Sequence, residues 1–335
     1  MLAGGPAAAA TALALTLIAV TPGTAHSLFD RPAAPEIGAV SDGEAVAELV
    51  GTLGESVVLG DEGLYEVTLD DGTELSTHGS DPRGMVASRT GGLREGPGRD
   101  PVCARDRRTQ FAIASPAGGG PGRAAARTVR GSVERANALL ADSGRFSGGP
   151  EADLKVACDR RGRLEIERIR TRAHDFAAVV SAARRAGLRG RTTNYVIFVR
   201  GRLGDPCGTS SFRADDRLAP ENRNRRGGAY AVIYGNCRGS AEIVLHEIAH
   251  MLGAVQYGAP FSTGSGRHCW DELDVLCYAP DGGDLHQSGV LLRCLMIVFD
   301  CGYDTYFDTA PEPGEYLATH WNLGSPLNRF IRFGG

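Results

Sequence analysis

Between Thr109 and Gly253 the chain alternates short apolar runs with longer stretches whose apolar residues recur every three or four positions. The runs Thr109–Ser115, Tyr195–Val199 and Tyr230–Tyr234 are short and rich in β-branched and aromatic residues, which predicts buried strands. Leu154–Cys158 and Leu164–Arg170 predict two more. Helical spacing predicts one helix over about Arg123 to Ala141, with Val129, Val133, Ala136 and Leu140 on one face. A second is expected over about Asp175 to Ala186, with Phe176, Val179, Val180 and Ala183 inward. The polar stretch Gly201–Gly228 reads as a long loop, and Glu242–Gly253 as a third helix. This order of strands and helices predicts an α/β (α+β) domain with helices against a mixed twisted sheet.

The region before Cys103 has a different pattern. Tyr65–Leu69 alternates, Asp70-Asp71-Gly72 supplies a tight turn, and Thr73–Ser76 predicts a returning strand. Gly and Arg dominate from Asp81 to Arg99, as in a linker. At the start, Ala7–Val20 is apolar, Pro22-Gly23 breaks it, and Thr24-Ala25 offers small residues for cleavage. No Lys or Arg precedes that run, which is also short against the about 20 residues of a membrane span. The division expected is an export signal over 1–25, a propeptide or small accessory β region with linker over 26–100, and the main domain over 101–335.

Charge changes this picture little. The net charge is −4, but residues 101–240 carry 27 basic and 13 acidic side chains. The basic residues are scattered through apparent helices and strands, so they read as a solvated surface and no nucleic-acid partner is expected. The eight cysteines all lie beyond residue 100. An even count in an exported chain reads as disulfides, and short-range pairing gives Cys207–Cys237, Cys269–Cys277 and Cys294–Cys301, with Cys103–Cys158 left over. No CxxC pair points to a cysteine-rich zinc finger, and no GxSxG pattern points to a serine hydrolase.

The candidate chemistry sits in EIVLHEIAHMLG, Glu242 to Gly253. Ser240 can cap this helix and Gly253 can supply the left-handed residue that ends it. His246 and His250 are four apart, so both rings project from one face and can reach one Zn2+ at about 2.0–2.1 Å. Glu247 is placed beside a zinc-activated water without being a ligand, as a general base requires.

HEIAHMLG resembles the metzincin zinc metallopeptidases, whose motif is HExxHxxGxxH or HExxHxxGxxD, and the likeness covers roughly Cys103 to Gly335. It implies a zincin domain with an active-site helix and a disulfide-stapled C-terminal subdomain. The family's third ligand position holds Gln256 here, a poor zinc ligand. Between Gly253 and the following turn the candidates are His268, Asp271, Glu272 and Asp274; His268 is preferred, with Asp271 and Gln256 behind it. His268-Cys269-Trp270-Asp271-Glu272 also resembles an HCxDExDxxCY signature of secreted bacterial proteins. Asp274-Val275-Leu276-Cys277-Tyr278 is similar to the family's Met-containing turn, with Leu276 in place of Met. Tyr278 is then expected near the metal as a ligand or transition-state donor.

The expectation is a secreted, extracellular zinc endopeptidase with metal ligands His246, His250 and His268, and catalytic groups Glu247 and Tyr278. Its partner would be a protein or peptide substrate; it would be a monomer without stable membrane association once the signal is removed. A non-catalytic zinc-containing binding protein and a zinc hydrolase of a non-peptide amide are the alternatives. Three further readings attach to single features. Asp300, Asp304 and Asp308, four residues apart, could take Ca2+. Cys103 could hold a zymogen latent, against the simpler disulfide. His320 is expected to pack on Trp321, and no role attaches to His78, His174 or His286.

Overall fold

A computed structural model describes residues 50–60, 64–81, 97–116, 122–200, 206–235, 237–263, 267–269, 274–277, 294 and 298–334. Expectations for 1–49, and for Asp271, Glu272, Tyr278 and His286, fall outside these residues.

The described residues form a mixed sheet of eleven strands with helices on both faces. Its centre is β5 (Arg108–Ser115), β8 (Thr193–Phe198) and β10 (Tyr230–Ile233), all parallel. Both faces of these strands are covered, which is why their sequences are continuous apolar runs. Phe111, Ile113, Val196, Phe198, Ala231 and Ile233 point to one core, and Ala112, Ala114, Ile197 and Val232 to the other.

On the first face lie α1 (Arg123–Phe146) and α3 (Ala241–Met251). Val129, Val133, Ala136 and Leu140 of α1 are fully buried, as their spacing predicts. The other face carries α2 (Phe176–Arg185), capped by the Asp175 side chain on the Ala178 N–H at 2.9 Å. On the far side of β5, β7 (Ile166–Arg170) and β6 (Ala152–Val156) pair parallel to it. The short β4 (Val102–Cys103) and the C-terminal β11 (Ile331–Phe333) join β6.

Beyond β10 the structure departs from the sequence expectation. The polar stretch 201–228 contains a strand, β9 (Gly208–Ser211), antiparallel to β10. Its sequence GTSS has no apolar residue to betray it, and its neighbours on both sides make it a strand. The predicted hairpin is present as β2 (Tyr65–Thr68) and β3 (Glu74–Asp81), with β1 (Val57–Leu59) paired to β2. β3 runs five residues past the predicted Ser76 and pairs antiparallel with β9, so β1–β3 continue the central sheet. Asp81, read from sequence as the start of a linker, is the last residue of this strand.

All four disulfides pair as expected: Cys103–Cys158, Cys207–Cys237, Cys269–Cys277 and Cys294–Cys301. Bonded to Cys158, Cys103 has no thiol to hold the site latent. Disulfides are compatible with an extracellular protein. Among the described residues no helix is long and apolar enough to cross a membrane.

A candidate metal centre

All eleven residues of α3 are buried, the polar Glu242, His246, Glu247 and His250 among them. Ser240 caps it by accepting from the Ile243 N–H at 3.3 Å. Gly253 follows with φ of 82°, the left-handed turn expected after the helix. A side chain at Gly253 would collide with Asn224, so close packing as well as backbone geometry requires glycine.

His246 and His250 therefore leave the helix on one face. His268 meets them from a stapled loop. Its carbonyl accepts from the Thr263 N–H at 2.8 Å, Ser262 bridges Cys269, and Cys269 is bonded to Cys277. The three Nε2 atoms are 3.0 Å (His246–His250), 3.2 Å (His250–His268) and 3.4 Å (His246–His268) apart. Four ligands set tetrahedrally at about 2.0–2.1 Å from Zn2+ are about 3.3–3.4 Å from one another. Nitrogens that close, in rings buried to 0%, 0% and 4% exposure, fit a shared ion.

The tautomer of His246 also fits. Its Nδ1–H donates to the Val275 carbonyl at 2.9 Å, leaving the Nε2 lone pair for a metal. Val275 sits in the turn Asp274–Cys277, which Asp274 holds in place. The Asp274 carboxylate accepts from Leu276 N–H at 2.7 Å, Cys301 N–H at 2.8 Å and Tyr306 O–H at 2.6 Å. Leu276 is fully buried in the core beneath. Asp274 is thus a turn-former, and its two oxygens face backbone and phenol donors.

Gln256 does not face the histidines. Its side-chain amide donates to the carbonyls of Gly253 at 2.8 Å and Arg213 at 3.2 Å, closing the loop after α3. Asp300 accepts from the N–H groups of Thr305, Tyr306 and Phe307, and Asp308 from that of Ala310. These two carboxylates organise turns. His320 stacks on Tyr316, with ring centroids 4.1 Å apart, and the expected partner Trp321 instead buries its indole and donates to Leu252 O at 2.7 Å.

Glu247, one residue along α3 from His246, is fully buried beside β9. Ser210 Oγ donates to Glu247 Oε2, and any Cβ at position 208 would overlap the same carboxylate. Gly208 and Ser210 are contributions that sequence reading misses, because β9 itself is missed.

Two further groups from β3 join the histidines. His78 of β3 stacks on His250, with centroids 3.9 Å apart. Asp81 of the same strand reaches into the cluster: Oδ1 is 3.1 Å from His268 Nε2 and Oδ2 is 3.4 Å from His246 Nε2. In a regular strand residues three apart point to opposite faces. A register shift between Thr77 and Ser80, with Gly79 at φ of 104°, turns both side chains inward. The only sequence signal was that glycine inside a strand. Asp81 with His78, His250 and His268, and Asp81 with His246 and Glu247, form buried groups able to hold a metal ion.

The electrostatics follow from this crowding. Burial pushes Glu247 well above the carboxylate range, and the Asp81 charge against it adds to the shift. Burial alone would raise Asp81 too, but the imidazoles that face it, His246 first, overcome it and hold that carboxyl well below its usual range. Of the two acids, Asp81 is the ionised one and Glu247 carries the proton. Burial and the neighbouring imidazoles push His78 down to about 3 and His250 well below its ordinary value, so both rings are neutral.

No protein family description matches the chain, and no curated protein or solved structure matches it.

Proposed function

We propose that this chain is a secreted zinc-dependent endopeptidase of metzincin type. The observation that carries the reading is the convergence of three buried imidazole Nε2 atoms, two from one helix turn and one from a stapled loop, with a carboxylate one residue from the first ligand. His246, His250 and His268 would hold the ion, which supplies Lewis-acid chemistry there when bound.

The residues of this chain divide the remaining work. His246 and His250 ligate through Nε2, the first fixed in its tautomer by Val275. With the Asp81 charge away from it and water admitted, the Glu247 carboxylate would be ionised and would take the proton of the attacking water, then return it to the leaving amine. Ser210 orients that carboxylate by donating to Oε2. Tyr278 keeps, on sequence grounds alone, the part of oxyanion donor. Peptide is favoured over a small amide because β9 lies beside Glu247, and an extended backbone could pair with the edge of β9 that β3 holds.

Purified protein should contain about one zinc per chain. The zinc-loaded chain, assayed alongside Asp81→Ala, should degrade casein, and Glu247→Ala should abolish this in either background. Absence of degradation by both, or equal activity after Glu247→Ala, would overturn the assignment.

A further inference from the structure

We propose that Asp81 is a fourth metal ligand, and that the strand bearing it occupies the groove a substrate would use, so that the chain with residues 74–81 in place is a closed form of the enzyme. The inference rests on the zinc reading above and adds to it where the fourth ligand comes from.

Three independent features carry it. The first is position. A catalytic zinc needs three protein ligands and an open fourth place for water or substrate. Here the two Asp81 oxygens lie 3.1 and 3.4 Å from the Nε2 atoms of His268 and His246, which is ligand-to-ligand spacing. The carboxylate also abuts Glu247.

The second is the ladder. β3 runs antiparallel along β9, with Thr77 opposite Ser211 and Asp81 opposite Gly208. The Cys207 N–H donates to Asp81 O at 2.7 Å, the Phe212 N–H to Ser76 O at 2.8 Å, and Thr77 Oγ1 to Ser210 O at 2.6 Å. The two backbone bonds are of the kind an extended peptide would make in adding to the same edge. While β3 holds them no substrate can, so turnover by the wild-type chain requires β3 to move off this edge.

The third is enclosure. Asp81, His246, Glu247 and His250 are 0% exposed, and His268 and His78 only 4% and 5%. A centre that acts on a polymer must open to it. His78, stacked over His250, covers the remaining side. Asp81 and His78 both come from β3, so displacing that strand would free the fourth position and the β9 edge together.

The test uses the full chain loaded with Co2+, whose absorption spectrum reports coordination, and acetohydroxamate, a small anion that ligates through the open position. Wild type should bind acetohydroxamate weakly. Asp81→Ala should change the cobalt spectrum and bind the probe at least tenfold more tightly. Gly79→Val leaves the carboxylate but forces a β-branched residue into positive φ; by breaking the bulge that aims Asp81, it should shift both readouts the same way. Cobalt bound with the same spectrum and the same probe affinity in all three proteins overturns the fourth ligand while leaving the three-histidine site intact. Failure of all three proteins to bind cobalt overturns the zinc reading and this inference with it.

Discussion

Removing the Asp274 carboxylate tests whether the turn beneath the histidines sets the metal site. Asp274 is fully buried and accepts from Leu276 N–H, Cys301 N–H and Tyr306 O–H, all at 2.8 Å or less. In Asp274→Ala these three donors lose their acceptor, and each buried donor left unmade costs about 1–3 kcal/mol. The losses share one cavity and will not add fully, so about 3–6 kcal/mol is expected, a large part of the about 5–15 kcal/mol that holds a typical domain together. The effect should reach the metal through one link, because the same turn offers the Val275 carbonyl to His246 Nδ1. Loss of such an outer partner lowers metal affinity by about 10–100-fold. Asp274→Asn keeps one carbonyl oxygen and turns an amide toward a donor, so about 1–3 kcal/mol should be lost. Urea unfolding with the disulfides intact measures the stability, and competition with a chromophoric chelator measures zinc affinity. If the alanine variant unfolds within about 1 kcal/mol of wild type, the hydrogen-bond reasoning fails. If it is destabilised but binds zinc as before, the link from Asp274 to His246 is refuted.

Four other outcomes are expected. Gln256→Ala should cost about 1–2 kcal/mol by orphaning the Gly253 and Arg213 carbonyls, yet keep its zinc; metal loss would return Gln256 to the ligand set. Gly208→Val should cost about 1–3 kcal/mol through overlap with Glu247 and abolish hydrolysis while zinc stays bound, and an active variant would show that Glu247 does not sit against β9 in solution. Replacing both Cys103 and Cys158 with Ser should cost up to about 4 kcal/mol for a closed separation of 55 residues, leaving zinc affinity and acetohydroxamate binding unchanged. In metal-free protein, His78 is pushed down to about 3 and His250 well below its ordinary value, so the unfolded chain takes up protons first as pH falls. Stability present above the unfolded histidine value of about 6.5 should therefore be lost between there and about 3, and a melting temperature flat from pH 7 to 4 would contradict buried neutral imidazoles.

The sequence by itself determined whatever depends on local spacing. His246 and His250 at four residues share a helix face by geometry, Ser240 and Gly253 mark the ends of that helix, and the apolar spacing of α1 and α2 placed their buried sides correctly. The short-range cysteine pairs were legible because short loops bring their ends together readily. His268 was within reach for a similar reason, being the nearest imidazole before a turn that a disulfide closes.

What the tertiary structure decided is what lies outside that local range. β9 carries no apolar signal, since its four residues are a strand only through the partners on either side of them. Ser210 and Gly208 reach Glu247 through that strand. Period-two alternation would have put His78 and Asp81 on opposite faces, and only the bulge at Gly79, fixed by pairing with a strand about 130 residues away along the chain, turns both toward the histidines. Spacing placed two histidines of the centre. Sheet pairing brought an aspartate from far earlier in the chain to meet them.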